Sequence, residues 1–310
     1  VLKNYKNQRE ENRMFYNISY ISKVNLASLN GSESMGGNIT PIKKITDNEG
    51  KEYAYISGQA QRRYLKDTLM QLGERISAVD ENGEPNFLEL KDKIIEGKKF
   101  KNKKLMYENF CDLDLFGYMF PNSGRRWSPV KVSPMMSIHP YKGEYDYLTR
   151  KQLVEEGSAK KGNIVQIEID TLNYMRGNII IDVDRVGNDI NEYTYEVTPM
   201  LTEEEKNIRI NKLIDAVRFF NGGAKQARNL EDISPKFAVL TKQKTGNPFL
   251  LNSIHINDKN ELDIKSIVEE IIDNKAVLDG VRMGISKNEE ENIEIGSITE
   301  AFNFLKTGAE

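Results

Sequence analysis

Two segments of the chain repeat their apolar residues with helical spacing. Each opens on a capping residue, and each is bracketed by β-branched and aromatic runs. The first is SGQAQRRYLKDTLMQLG (57–73), with Ser57 as the expected N-cap and Gly73 as the stop. Gly58, Gln61, Leu65, Leu69 and Leu72 share its inward stripe, while Gln59, Arg62 and Lys66 line the opposite polar face. The second covers 202–220, where Thr202 is followed three residues later by Glu205, a capping-box spacing. Ile210, Leu213, Ile214 and Val217 form its stripe. Strand character runs from Ile18 to Leu29, over 51–57 and 127–138, through 163–187 as two strands, and over 235–242. Residues 262–272 and 297–306 read as further helices.

The resulting order is β-α-[insertion]-β-[excursion]-β-α-β. It predicts an α+β fold, a ferredoxin-like or RRM-like βαββαβ palm with large insertions. The palm is expected over 14–79, 122–138 and 163–257. Residues 80–121 read as an irregular, loop-like, lysine-rich insertion with short helices as an alternative, 139–162 as a polar excursion, and 258–310 as an acidic C-terminal extension.

Charge separates along this plan. Residues 258–310 hold 13 acids and 6 bases, a net of −7, which leaves +4 on the remainder. The stretch 91–104 holds seven lysines against two acids. Such local patches suit a phosphate backbone, and equally a solvated face. A single cysteine, Cys111, excludes an internal disulfide and a cysteine-cluster zinc site. Two histidines, His139 and His255, leave little for metal or triad chemistry, so no metal and no cofactor is expected. No run approaches 18 uncharged apolar residues, and residues 1–16 contain no apolar signal core. The expectation is a reduced, cytoplasmic protein with no membrane partner.

Three clusters combine glycine, amide and cationic side chains. MGGNITPIKK (35–44) with the 57–66 helix start brings Gly36, Gly37, Lys43, Lys44, Ser57, Gln59, Arg62, Arg63 and Lys66 together. Glycines admit close backbone approach, and a helix N-terminus offers aligned N–H donors to an anion. The alternative is an ordinary capped amphipathic helix. NSGRRWSP (122–129) places Trp127 beside Arg125 and Arg126, able to stack a base and pair a phosphate, or to anchor a core. NGGAKQAR (221–228) presents Gly222, Gly223, Lys225, Gln226 and Arg228, either as an anion loop or as a helix C-cap and turn. The two glycine loops are expected to converge on one sheet edge. The acids of DLDLFG (112–117) and the pair Asp182 and Asp184 read as solvated, with metal binding the alternative. His139 reads as a turn residue.

In this order, LNGSESMGGNITPIKK, YAYISGQAQRRYLKD, GRRWSPVKVSPMMSIHP and NGGAKQARNLEDISP resemble the DevR-like backbone subunit of type I CRISPR surveillance complexes (Cascade). The resemblance is to the I-B group in particular, within the repeat-associated mysterious protein (RAMP) superfamily. It runs from about Phe15 to Lys242.

It implies a hand-shaped subunit with a palm, helical fingers over 80–121 and a β-hairpin thumb over 139–162. It implies copies stacked head to tail on one guide RNA (crRNA), held by its backbone while pairing reads the target DNA. Large, 5′-handle-capping and crRNA-processing subunits would be the other partners. Guide phosphates would meet Ser57, Gln59, Arg62 and Lys66, with Gly222, Gly223, Lys225, Gln226 and Arg228 in the second loop. Tyr147 and Leu148 would form the thumb's apolar wedge. Type III backbone subunits carry a catalytic aspartate in the loop after the first strand. Here that loop reads NGSESMGGNITP, with Glu33 its only acid. The expectation is therefore a non-catalytic scaffold. A metal-dependent ribonuclease using Glu33 or Asp182 and Asp184, and a stand-alone RNA-binding regulator, are the competing readings.

Overall fold

A computed structural model describes residues 13–31, 39–81, 83–97, 99–120, 124–149, 164–191, 194–223, 226–257, 259, 261–285 and 295–306, without side chains at 39, 144, 147–149, 164–172, 228 and 295. In chain order, β1 is Phe15–Ala27, β2 Lys44–Thr46, β3 Glu52–Ile56 and α1 Gly58–Gln71. Next come α2 (Lys103–Asn109), α3 (Cys111–Phe116), β4 (Tyr118–Phe120), β5 (Gly124–Arg126), β6 (Val130–Val132) and β7 (Met135–Ser137). They are followed by β8 (Glu144–Thr149), β9 (Ile164–Asp182), α4 (Glu203–Arg218), β10 (Pro235–Gln243), α5 (Ile264–Asp273), β11 (Leu278–Ile285), β12 (Ile295–Ser297) and α6 (Ile298–Asn303).

Among the described residues, eleven strands join in one sheet of order β12-β11-β10-β1-β9-β7-β3-β2. Strands β6 and β8 and the pair 39–40 join β9 off this path. The central strands β10, β1, β9 and β7 are all antiparallel. Tyr16, Ile18 and Tyr20 of β1 alternate onto one face, where they join Leu65 and Leu69 of α1, Ile210, Leu213 and Val217 of α4, and Phe302 of α6. The opposite face carries Ile21, Phe237 and Val239 against Leu250, Ile254 and Ile267. Between those apolar positions, Asn178 donates to Asn17 Oδ1 (2.6 Å) and Ser19 Oγ (2.5 Å), while the buried Asn17 Nδ2 has no hydrogen-bond partner among the described residues.

Both expected helices form with their expected caps. Ser57 Oγ accepts from the Ala60 N–H, and Thr202 with Glu205 completes the capping box. Other segments differ from expectation. Residues 164–182 form one 19-residue strand rather than two. Its first part pairs with β8, from Ile164↔Thr149 to Ile169↔Glu144, and its remainder pairs with β1. The excursion thus leaves the sheet as a two-armed antiparallel ribbon. Tyr147 and Leu148 stand opposite Gln166 and Val165 in that ribbon, and their side chains lie outside the described residues.

The insertion is not irregular. Phe87, Ile94, Tyr107, Phe110, Leu113 and Phe120 bury a second core, with Phe87 in edge-on contact with Phe100, Phe110 and Phe120. Nor is the C-terminal segment a separate extension. β11 pairs along β10, and Ala301, Phe302 and Leu305 enter the main core. Lys306 pairs with Asp215 of α4 at 2.7 Å, which commits one tail contact to this chain's own body.

The expectation of solvated acids in 112–117 is overturned. Asp114 is fully buried. Its Oδ1 accepts from Arg126 at 2.6 Å, its Oδ2 from Arg209 at 2.8 Å, and the Gly187 N–H reaches both oxygens at 3.1 and 3.0 Å. Asp112, also fully buried, accepts from Lys66 (2.8 Å) and from the Ser77 N–H and hydroxyl. These two carboxylates fasten the insertion to α1 and α4. Asp114→Asn should leave two guanidiniums short of charge and cost about 3–5 kcal/mol. Urea denaturation measures this, with exposed Lys104→Ala, from the pair with Glu108, changing stability by less than about 0.5 kcal/mol.

Candidate nucleic-acid interface

The start of α1 is fixed by three contacts. Gln61, buried on the inward stripe, donates from Nε2 to the carbonyls of Ile56 (3.1 Å) and Ser133 (2.7 Å) and accepts from the Tyr20 hydroxyl (3.0 Å). Asn30 Oδ1 accepts from the Ser57 N–H at 3.1 Å, tying the end of β1 to the cap. Gly58 lies so close to β6 that a Cβ there would stand 2.4 Å from the Val132 carbonyl oxygen.

That anchoring aims one face of α1 into a groove of about 600 Å³ between the helix, residues 76–79 and the 116–117 turn. Gln59, Arg62, Arg63 and Lys66 line it. The cap leaves the Gly58 and Gln59 N–H groups at its head, since the first-turn donors of a helix have no intrahelical acceptor. Arg62 is half-buried and donates to the Val130 carbonyl (3.2 Å). Burial pulls its guanidinium below its ordinary value, yet it stays charged at neutral pH. Arg63 is exposed and pairs with Asp67 one turn on. Lys66 holds Asp112, so it serves the fold as well as the groove.

The second glycine loop meets α1 on its other side. A Cβ on Gly222 would stand 2.3 Å from Cγ of Tyr64, whose hydroxyl donates to the Leu29 carbonyl (3.0 Å). Residues 62 and 64 are about 200° apart around the helix, so this loop and the Arg62 groove occupy opposite flanks of α1. They share the end of β1. There the Lys43 N–H reaches the Asn30 carbonyl (2.9 Å), and Gly223 approaches the carbonyls of Ser28 and Leu29. Gln226 donates to the Gly222 and Glu231 carbonyls and so shapes the loop from within. Lys44 pairs with Glu52 (3.3 Å) over the Tyr141 ring. Glu33, Gly36, Gly37, Lys225 and the Arg228 side chain lie outside the described residues.

The GRRW cluster divides. Trp127 is exposed, with the Arg125 guanidinium 4.8 Å above its ring, so it is no core anchor. Arg126 is the correction: buried beside Tyr107, it donates to Asp114, Asn188 and Arg185 within the protein rather than facing a ligand. Asp182 and Asp184 do not form a solvated pair either. Asp182 is buried against Arg13 (2.9 Å) and Arg185 (3.4 Å), and Asp184 accepts from the Met14 N–H. Burial raises the Asp182 carboxyl above its ordinary value despite these two cations. His139 Nε2 is buried without a hydrogen-bond partner among the described residues, with its ring edge-on to Tyr174. No group of three or more metal-ligating side chains gathers among the described residues, and no described helix is long and apolar enough to cross a membrane.

With this geometry in place, a family profile described as "CRISPR-associated negative auto-regulator DevR/Csa2" matches residues 18–263. The chain belongs to the DevR/Csa2 family of CRISPR-associated proteins. One solved chain, titled "CRISPR RNA-guided surveillance complex, pre-nicking", is similar over 91% of this chain and 95% of its own, at 12% identity and a TM-score of 0.58. Another, titled "CRISPR RNA-guided surveillance complex", is similar over 96% of this chain and 100% of its own, at 14% identity and a TM-score of 0.58. At such identity the likeness establishes the fold. No curated protein matches the chain in sequence.

Within this DevR/Csa2 member, sequence reasoning missed Gln61 as an anchor, Asn30, Tyr64 and the Asp112–Lys66 pair. Gln61 carried a signal, a polar residue on an otherwise apolar stripe. Gly58→Ala should cost about 1–3 kcal/mol by forcing α1 off β6, where exposed Gln59→Ala should cost almost nothing. Thermal melts of the two variants check this.

Proposed function

We propose that the chain is a non-catalytic scaffold subunit of a type I, I-B-like Cascade. It binds crRNA by its phosphates and presents the guide for pairing with target DNA in antiviral defence. The observation that carries this reading is the groove on α1, where three cations and the free N–H groups of a rigidly placed helix start share one surface. Membership of the family supports the setting, and the titles of the similar structures name RNA-guided complexes.

On this reading, β10-β1-β9-β7 with α1 and α4 is the ferredoxin-like, RRM-like palm. Its strand order matches the 4-1-3-2 arrangement of a split βαβ unit. The core of 80–121 is the fingers and the β8–β9 ribbon the thumb. Copies stack head to tail along the guide, beside the large subunit, the 5′-handle-capping subunit and the crRNA-processing endonuclease.

Binding by phosphate contacts depends steeply on salt and not on spacer sequence. Arg62→Gln with Arg63→Gln should weaken guide binding about tenfold or more for every spacer, and should lessen the salt dependence. Lys66 is left intact because its loss would strand buried Asp112. Mass photometry with guides of two lengths should show mass rising in steps with length. One protein per RNA at either length would favour a stand-alone regulator, and magnesium-dependent cleavage of labelled RNA would overturn the non-catalytic assignment.

A further inference from the structure

A second groove, of about 540 Å³, lies beside Lys131 of β6. Trp127, Lys131, Arg13, Arg185, Phe15 and Asp182 line it. Val130–Val132 separates it from the α1 groove. Lys131 faces this cleft, while Val132 lines the other and the Val130 carbonyl holds Arg62. Trp127 is 57% exposed, so its ring is open to a stacking partner. Arg125 rests on that ring at 4.8 Å. Opposite, Arg13 lies 5.1 Å from the Phe15 ring centroid and pairs with Asp182 Oδ2. Asp182 Oδ1 is buried and has no hydrogen-bond partner among the described residues.

An exposed aromatic plane beside three cations matches two parts of a nucleotide. The ring stacks the base and the cations take the phosphate. We propose that this cleft binds one nucleotide of a single-stranded nucleic acid, its base stacked on Trp127 and its phosphate held by Lys131 with Arg13 and Arg185, as a site separate from the α1 groove. The proposal deepens the nucleic-acid reading above and rests on it only for the identity of the strand.

Trp127 is the chain's single tryptophan, so its emission reports on this cleft alone. The full-length protein is titrated with short single-stranded RNA and DNA and with the free 5′-mononucleotides. Emission is followed together with the anisotropy of a labelled oligonucleotide. Saturable quenching is expected with the oligonucleotides, and the RNA and DNA arms show which strand the cleft prefers. Exposed Lys131→Ala should weaken the quenching transition at least about fivefold, and Trp127→Leu should weaken anisotropy-detected binding similarly. Arg62→Gln with Arg63→Gln should leave a quenching transition in place.

If the oligonucleotide binds by anisotropy while Trp127 emission stays unmoved, this cleft is empty and only the present proposal fails. If quenching vanishes with the Arg62 and Arg63 variant but survives Lys131→Ala, one continuous site exists and the separate cleft is overturned. If neither signal moves with any nucleic acid, the scaffold reading fails along with it.

Discussion

The Asp114 carboxylate sits where three parts of the chain meet. It is buried with no exposure, and four hydrogen bonds from Arg126, Arg209 and Gly187 satisfy it. Arg126 closes strand β5 after the insertion, Arg209 belongs to α4, and Gly187 follows the long strand β9. A carboxylate in that position is tolerable only while all its donors are present. Its geometry therefore locks the second core onto the sheet. Asp112, two residues earlier, does the same toward α1 through Lys66 and Ser77.

These fastenings set the walls of the α1 groove. One wall is the helix, seated by Gln61 and Gly58 against the 130–133 segment. The other is residues 76–79 and the 116–117 turn, held in place through Asp112. Of the groove's cations, Lys66 is held by a buried carboxylate and so belongs to both systems at once, while Arg62 is held by the Val130 carbonyl and Arg63 by Asp67 at the surface. On the proposed reading, long-range charge attracts the guide to this surface and the fixed walls decide where its phosphates rest.

Much of the palm was legible because its signals are local. Ser57 caps, Thr202 with Glu205 caps, and the stripes through Leu65 and Leu213 require neighbours only three or four residues away. What failed to show locally was long-range. Residues 164–182 contain Asn173 and Gly177, which suggest a break, yet pairing with β8 and then β1 carries the strand through them. The C-terminal segment looked like an acidic extension because acids dominate its composition, while a few apolar residues such as Phe302 and Leu305 decide where it goes. Arg125, Arg126 and Trp127 form one cluster in sequence. Strand alternation sends Arg126 inward to Asp114 and its two neighbours outward.

The sequence by itself determined where the two main helices begin, which segments of the central sheet are strand-forming, and that cations gather beside glycines at one of those helix starts. Only the tertiary structure decided which cations are available. Lysines and arginines look alike in a linear string, and their roles are assigned by the carboxylates they meet across tens or a hundred residues. Asp112 claims Lys66, Asp114 claims Arg126 and Arg209, and Asp182 claims Arg13. A buried charge must be neutralised by whatever partner the fold delivers, and that delivery depends on sheet register and helix placement rather than on neighbours in the chain.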